Sequence, residues 1–130
     1  MEFVLKNKKS FAFIFWFWVA LILYFTLTPG SLYQKFAMKD QNLRMDYILH
    51  FLIYFGLSIL YMLWKADNFL LVKNKFLVYF LVSALILSGI SEYAQTFIPG
   101  RSFNPIDYYL NALGIILGVA CPKAFLIKSL

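Results

Sequence analysis

The residues best suited to chemistry recur at helical intervals. Asp46, His50 and Tyr54 are spaced i, i+4, i+8, which puts them on one face of a helix. Glu92 and Gln95 are i, i+3, and Asp107 and Asn111 are i, i+4. Arg101 lies between those pairs, in the short stretch from Pro99 to Pro105. A carboxylate near a histidine can do general acid–base work, which makes Glu92, His50 and Asp107 the candidates for proton transfer. A guanidinium can grip phosphate or carboxylate through its planar fork. The predicted binding set is Asp46, His50, Tyr54, Glu92, Gln95, Arg101, Asp107 and Asn111. One histidine with three carboxylates is too unspecific to predict a metal, and no cofactor is predicted. Structural roles compete with these readings. Asp46 and Asp107 suit helix caps, His50 a satisfied interface histidine, and Glu92 a salt bridge to Arg101.

The elements that position these residues follow from composition. Of 130 residues, 62% are hydrophobic, 21% aromatic and only 14% charged. A soluble domain has roughly 45–50% apolar and about 25% charged residues. So few charges cannot cover so much apolar surface, which excludes a soluble globular domain and a disordered chain. Cys121 has no partner cysteine, so a disulfide scaffold is excluded too. The net charge of +6 comes from basic residues scattered between apolar blocks, which fits membrane topology and not nucleic-acid binding.

Four blocks approach the about 20 apolar residues needed to cross a bilayer, at 11–28, 47–64, 76–98 and 106–121. They lack the alternation of barrel strands. Lys6 to Lys9 followed by an apolar run resembles a signal peptide. No small-x-small cleavage site follows, so a retained span is expected. The prediction is an all-α membrane protein, a single domain over 1–130 built as a four-transmembrane-helix bundle with antiparallel neighbours. Aromatic-rich span one, with Trp16 and Trp18, is expected to face lipid. Lys6, Lys8, Lys9, Lys65, Lys73, Lys75, Lys123 and Lys128 fall on one side, and Lys35, Lys39, Arg44 and Arg101 on the other. That bias predicts cytoplasmic termini in a bacterial inner membrane. Asp46, His50, Glu92, Gln95, Arg101, Asp107 and Asn111 then fall in a single outer layer, where a polar residue within a span should face protein or a water-filled cavity.

A weak repeat runs through the chain. Thr26 to Gly30 resembles Thr96 to Gly100, and Asp46-Tyr47 with His50 resembles Asp107-Tyr108 with Asn111. Two helical hairpins repeated in parallel would give this pattern. Gly114 and Gly118 form a small-xxx-small pair suited to close helix packing.

Asp46 to Tyr54 resembles the first signature of VanZ-like membrane proteins. Glu92-x-x-Gln95, Pro99-x-Arg101, Asp107-x-x-x-Asn111 and Gly114-x-x-x-Gly118 resemble the second. Where the family often has a basic residue after the first Asp, this chain has Tyr47. The resemblance implies a small multi-span protein of the bacterial envelope, in a family linked to teicoplanin susceptibility, and implies no particular reaction. Three functions stay open. A binding protein would engage a lipid headgroup, a lipid-linked wall precursor or an envelope protein. A small membrane enzyme would act on a lipid-linked substrate by carboxylate and histidine chemistry, although no serine or cysteine sits in a nucleophile motif. A transporter or channel would need polar groups in the inner half, where the sequence offers few. The topology is checked by labelling the single cysteine. Cys121 is expected to react with an impermeant thiol reagent from the cytoplasmic side, and reaction only from outside would overturn it.

Overall fold

The computed structural model of the chain describes residues 2–28, 45–67 and 72–128. The Pro29-Gly30 part of the repeat and the basic residues Lys35, Lys39 and Arg44 lie outside them. The helices are α1 (Glu2–Lys6), α2 (Lys8–Leu27), α3 (Met45–Lys65), α4 (Asn74–Gln95) and α5 (Pro105–Lys128). The last four contain apolar stretches of 20, 20, 22 and 19 residues, long and apolar enough to cross a membrane. At about 1.5 Å per residue, each reaches about 30 Å. The chain is thus an all-α, four-span membrane protein. Large apolar side chains such as Phe13, Leu52, Tyr79 and Tyr109 point outward, one from each of the four spans, as a lipid solvent permits.

Two span ends differ from the sequence expectation. The third span, α4, stops at Gln95, three residues before the predicted Ile98. Pro99 disfavours helical geometry at Ile98, and the chain tightens instead into successive i to i+3 bonds from Tyr93 to Ile98. The fourth span, α5, continues past Cys121 to Lys128 and carries Pro122 within it.

The bundle is organised round a parallel pair, α3 and α5. Asp46, His50, Phe51, Phe55 and Ser58 meet Asp107, Asn111, Gly114 and Gly118 in the same chain order. His50 and Asn111, 61 residues apart, are hydrogen-bonded, so positions equated by the sequence repeat face each other. Glycine permits this approach. A Cβ on Gly114 would run into the Phe51 carbonyl oxygen, and one on Gly118 would lie 2.7 Å from the Phe55 oxygen and 2.6 Å from Ser58 Cβ. Ser58 Oγ shares its proton between the carbonyls of Tyr54 and Ile115, each at 3.1 Å, which ties α3 to α5.

Helix α2 is not wholly lipid-facing. Trp16 is exposed, but Trp18 Nε1 donates to the Ile53 carbonyl at 3.0 Å. Phe15 is buried against Tyr61, Trp64 and Phe80. Tyr61 stacks on Phe80 at 4.1 Å and donates to the Phe76 carbonyl. This aromatic layer packs α2, α3 and α4 together in the half of the bundle away from the candidate site. Gly118→Ala should therefore cost about 1–3 kcal/mol of stability through overpacking. Gly89→Ala, whose Cβ would make only ordinary contact with Tyr108 at 3.5 Å, should be neutral or stabilising by up to about 1 kcal/mol. Thermal unfolding in detergent checks this pair, and equal effects would contradict the packing.

Candidate functional site

Local structure brings the site residues to one end of the bundle. Pro99 and Gly100 occupy the centre of a turn closed by Arg101 N–H to the Ile98 carbonyl at 3.1 Å. Gly100 has φ 78°, the left-handed value that the third position of a type II turn demands. This turn returns the chain with Arg101 beside the end of α4. Asn104 then caps α5, its Oδ1 accepting from Ile106 N–H at 3.1 Å, with Pro105 at the first helical position. The cap is thus Asn104, and Asp107, one of the two predicted capping candidates, turns its buried carboxylate toward His50 instead.

A chain of hydrogen bonds crosses three helices. Asn111 Nδ2 donates to Glu92 Oε1 at 2.9 Å. Its Oδ1 therefore faces His50 Nδ1 at 3.0 Å, so Nδ1 carries the proton and donates. Glu92 Oε1 is itself 3.4 Å from His50 Nδ1. The other ring nitrogen, Nε2, faces Asp46 Oδ1 at 3.5 Å and Asp107 Oδ2 at 3.8 Å. Glu92 and Asn111 are 1% and 0% exposed, which makes this a buried polar network. Beside it, Ser91 Oγ donates to the Ser88 carbonyl at 2.8 Å, so Tyr54 OH is the donor in its 3.0 Å bond to Ser91 Oγ.

Arg101, outside the spans, completes the electrostatics. Burial lowers its pKa from the ordinary value, while Asp46, Glu92 and Asp107 push it back; the guanidinium stays charged at neutral pH. Asp46, His50 and Asp107 each offer a ligand atom, all within 4.8 Å of one another, a spacing compatible with a cation. The Arg101 charge already acts on the two carboxylates of that set.

A cavity of about 270 Å³ opens beside the network. His50, Tyr54, Ser91, Glu92, Gln95 and Arg101 are among its lining residues and expose little polar surface to it. Its walls are mostly apolar and come from Ile22 and Phe25 of α2 and Leu49 and Ile53 of α3, with Thr26 and Thr28 at the α2 end. Among the described residues Asp46, Asp107 and Asn111 do not line it; they contact the lining residues His50 and Glu92. Gly114 and Gly118 lie farther along α5, against α3. Sequence reasoning missed Ser91, Asn104 and the α2 wall. Asn104-Pro105 is a legible helix start, and Ser88, Ser91, Glu92 and Gln95 share one helical face. The α2 wall carries no sequence signal of its own.

Comparison with curated proteins and with solved structures gave no match. The family model described as VanZ/LLP1, in contrast, matches residues 10–127, which include every residue of the network and the cavity, and the chain belongs to the VanZ-like family.

Proposed function

We propose that the chain is an envelope protein of the bacterial inner membrane whose pocket opens toward the outer leaflet and binds the headgroup region of a phosphate-bearing lipid or lipid-linked wall precursor. The observation that carries this reading is a mostly apolar cavity that abuts the buried polar network, with Glu92 and Arg101 among its lining residues. An amphipathic ligand fits such an arrangement, with chains against Ile22, Phe25, Leu49 and Ile53 and a headgroup toward Arg101. Arg101 supplies a bidentate donor for the phosphate. Tyr54 OH and the Gln95 amide add directional hydrogen bonds. A protein holding a wall precursor at the outer leaflet would change how much of it a glycopeptide reaches, which is the route by which teicoplanin susceptibility would be affected.

A membrane enzyme is the second reading, favoured by His50 lying within 3.4–3.8 Å of three carboxylates. Binding is preferred because Ser91, the one serine lining the pocket among the described residues, spends its proton on the Ser88 carbonyl. The aromatic layer of Phe15, Tyr61 and Phe80 favours a closed binding site over a path through the membrane.

Saturable binding of short-chain phospholipids to purified protein tests the proposal. Arg101→Ala should weaken binding about 10–100-fold, the worth of a charge-assisted contact of roughly 1.5–3 kcal/mol. Ile53→Trp, which fills the pocket from its wall, should abolish binding. Unchanged affinity in both variants would sink this reading. Turnover of the lipid, lost in Glu92→Gln, would establish the enzyme instead.

A further inference from the structure

We propose that Trp18 forms the base of the pocket and binds the ligand there, meeting the tip of an acyl chain that enters from the bilayer. This rests on the pocket reading above and adds which part of the ligand the cavity holds and how deep it reaches.

The first observation is where the lining ends. Helix α3 runs inward from the Arg101 end of the bundle, whereas α2 and α4 run toward that end. Among the described residues, the deepest lining positions are therefore Ile22 of α2, Tyr54 of α3 and Ser91 of α4. From Thr28 to Ile22 the cavity descends about 9 Å, at about 1.5 Å per helical residue. Trp18 lies four residues deeper than Ile22, on the same face of α2. Its indole crosses to α3, where Nε1 donates at 3.0 Å to the carbonyl of Ile53, itself a lining residue. A Cβ on Gly56 would lie 3.3 Å from Trp18 Cζ2, so the ring rests on the next turn of α3. Leu57 of α3 and Ser88 of α4 are fully buried at the same level. Deeper still, Phe15 packs on Tyr61 and Phe80. The cavity thus ends on the indole and does not continue along the bundle.

The second observation is where the cavity opens. Phe25 and Leu49 line it, yet they are 53% and 44% exposed and belong to two spans. That rim faces the lipid side of the bundle. The cavity is mostly apolar, so a hydrocarbon chain enters it without stripping water from polar groups. With its headgroup toward Arg101, such a chain descends past Ile22 and Ile53 and meets Trp18 at its tip. The indole suits that contact. Its one polar atom is already satisfied by Ile53, so it offers the chain a rigid carbon surface.

The test reads contact with the chain, which a purely structural tryptophan would not show. The chain has three tryptophans, so Trp16→Phe with Trp64→Phe leaves Trp18 as the sole indole emitter. Dioctanoyl phosphatidylglycerol brominated either at the chain tip or next to the ester is titrated into the full chain, in enough detergent to dilute unbound lipid. Tip bromine should saturably remove at least about half of the Trp18 emission, because a heavy atom within about 4 Å touches the ring. Bromine next to the ester should remove at most about half as much, since it stays up to roughly 9 Å higher in the pocket. The wild-type chain should show the same order at smaller amplitude, because Trp16 faces outward and Trp64 packs in the far aromatic layer. This comparison decides the matter even if the double variant fails to fold. Saturable binding by calorimetry without loss of emission, or with a loss from the ester position that equals or exceeds that from the tip, would overturn Trp18 as the base and leave the pocket reading standing. Absence of saturable binding by either lipid would overturn both.

Discussion

A carboxylate buried between helices is the constraint round which this bundle is arranged. Glu92 sits almost wholly out of solvent near the end of α4, where an ion without partners costs several kcal/mol. Asn111 of α5 and, through it, His50 of α3 offset that cost. Three helices must therefore meet at one depth with their polar faces aligned. The rest of the pairing follows from this demand. Helices α3 and α5 run parallel in a fixed register, and Gly114 and Gly118 let their backbones approach closely enough to keep it. The tight end of α4 and the Pro99-Gly100 turn then leave Arg101 beside the same carboxylates.

The pairing also gives the weak sequence repeat a physical meaning. Asp46 opposes Asp107 and His50 opposes Asn111 across the α3–α5 contact. The two halves differ at the position that matters most. One offers a titratable ring and the other an amide, so a nearly symmetric helix pair presents an asymmetric, directional hydrogen-bond chain to the third helix. A second histidine or a second amide there could not orient the ring by the same logic, because the Asn111 amide is fixed by Glu92 and in turn fixes the proton on Nδ1.

Much of this was legible in residue types and spacing. Long uncharged blocks marked the spans, because apolar side chains have few uses at such length besides lipid contact. Helical intervals grouped Asp46 with His50 and Asp107 with Asn111, and a span count brought both pairs to the level of Glu92. Other features were not legible, each for a stated reason. Ile98 is apolar like the helix before it, and only the backbone demand of Pro99 ends α4 early. Asp107 competes with Asn104 for the cap of α5, and sequence alone does not say which side chain turns inward. The pocket wall formed by Ile22 and Phe25 depends on how α2 leans on α3, which Trp18 and Gly56 settle through one indole–carbonyl bond and the space left for the ring. At the opposite end, Lys65 lies over Trp64 at 3.8 Å, a cation and aromatic pairing suited to a membrane interface.

Glu92 and Asn111 act as one buried unit joining α4 to α5 and, through His50, to α3. A double-mutant cycle on thermal unfolding in detergent, with Glu92→Ala, Asn111→Ala and the double variant, measures this most directly. A coupling energy of about 1–3 kcal/mol is predicted, because either single change strands a buried polar partner that the second change releases. Effects that add to within about 0.5 kcal/mol would contradict it.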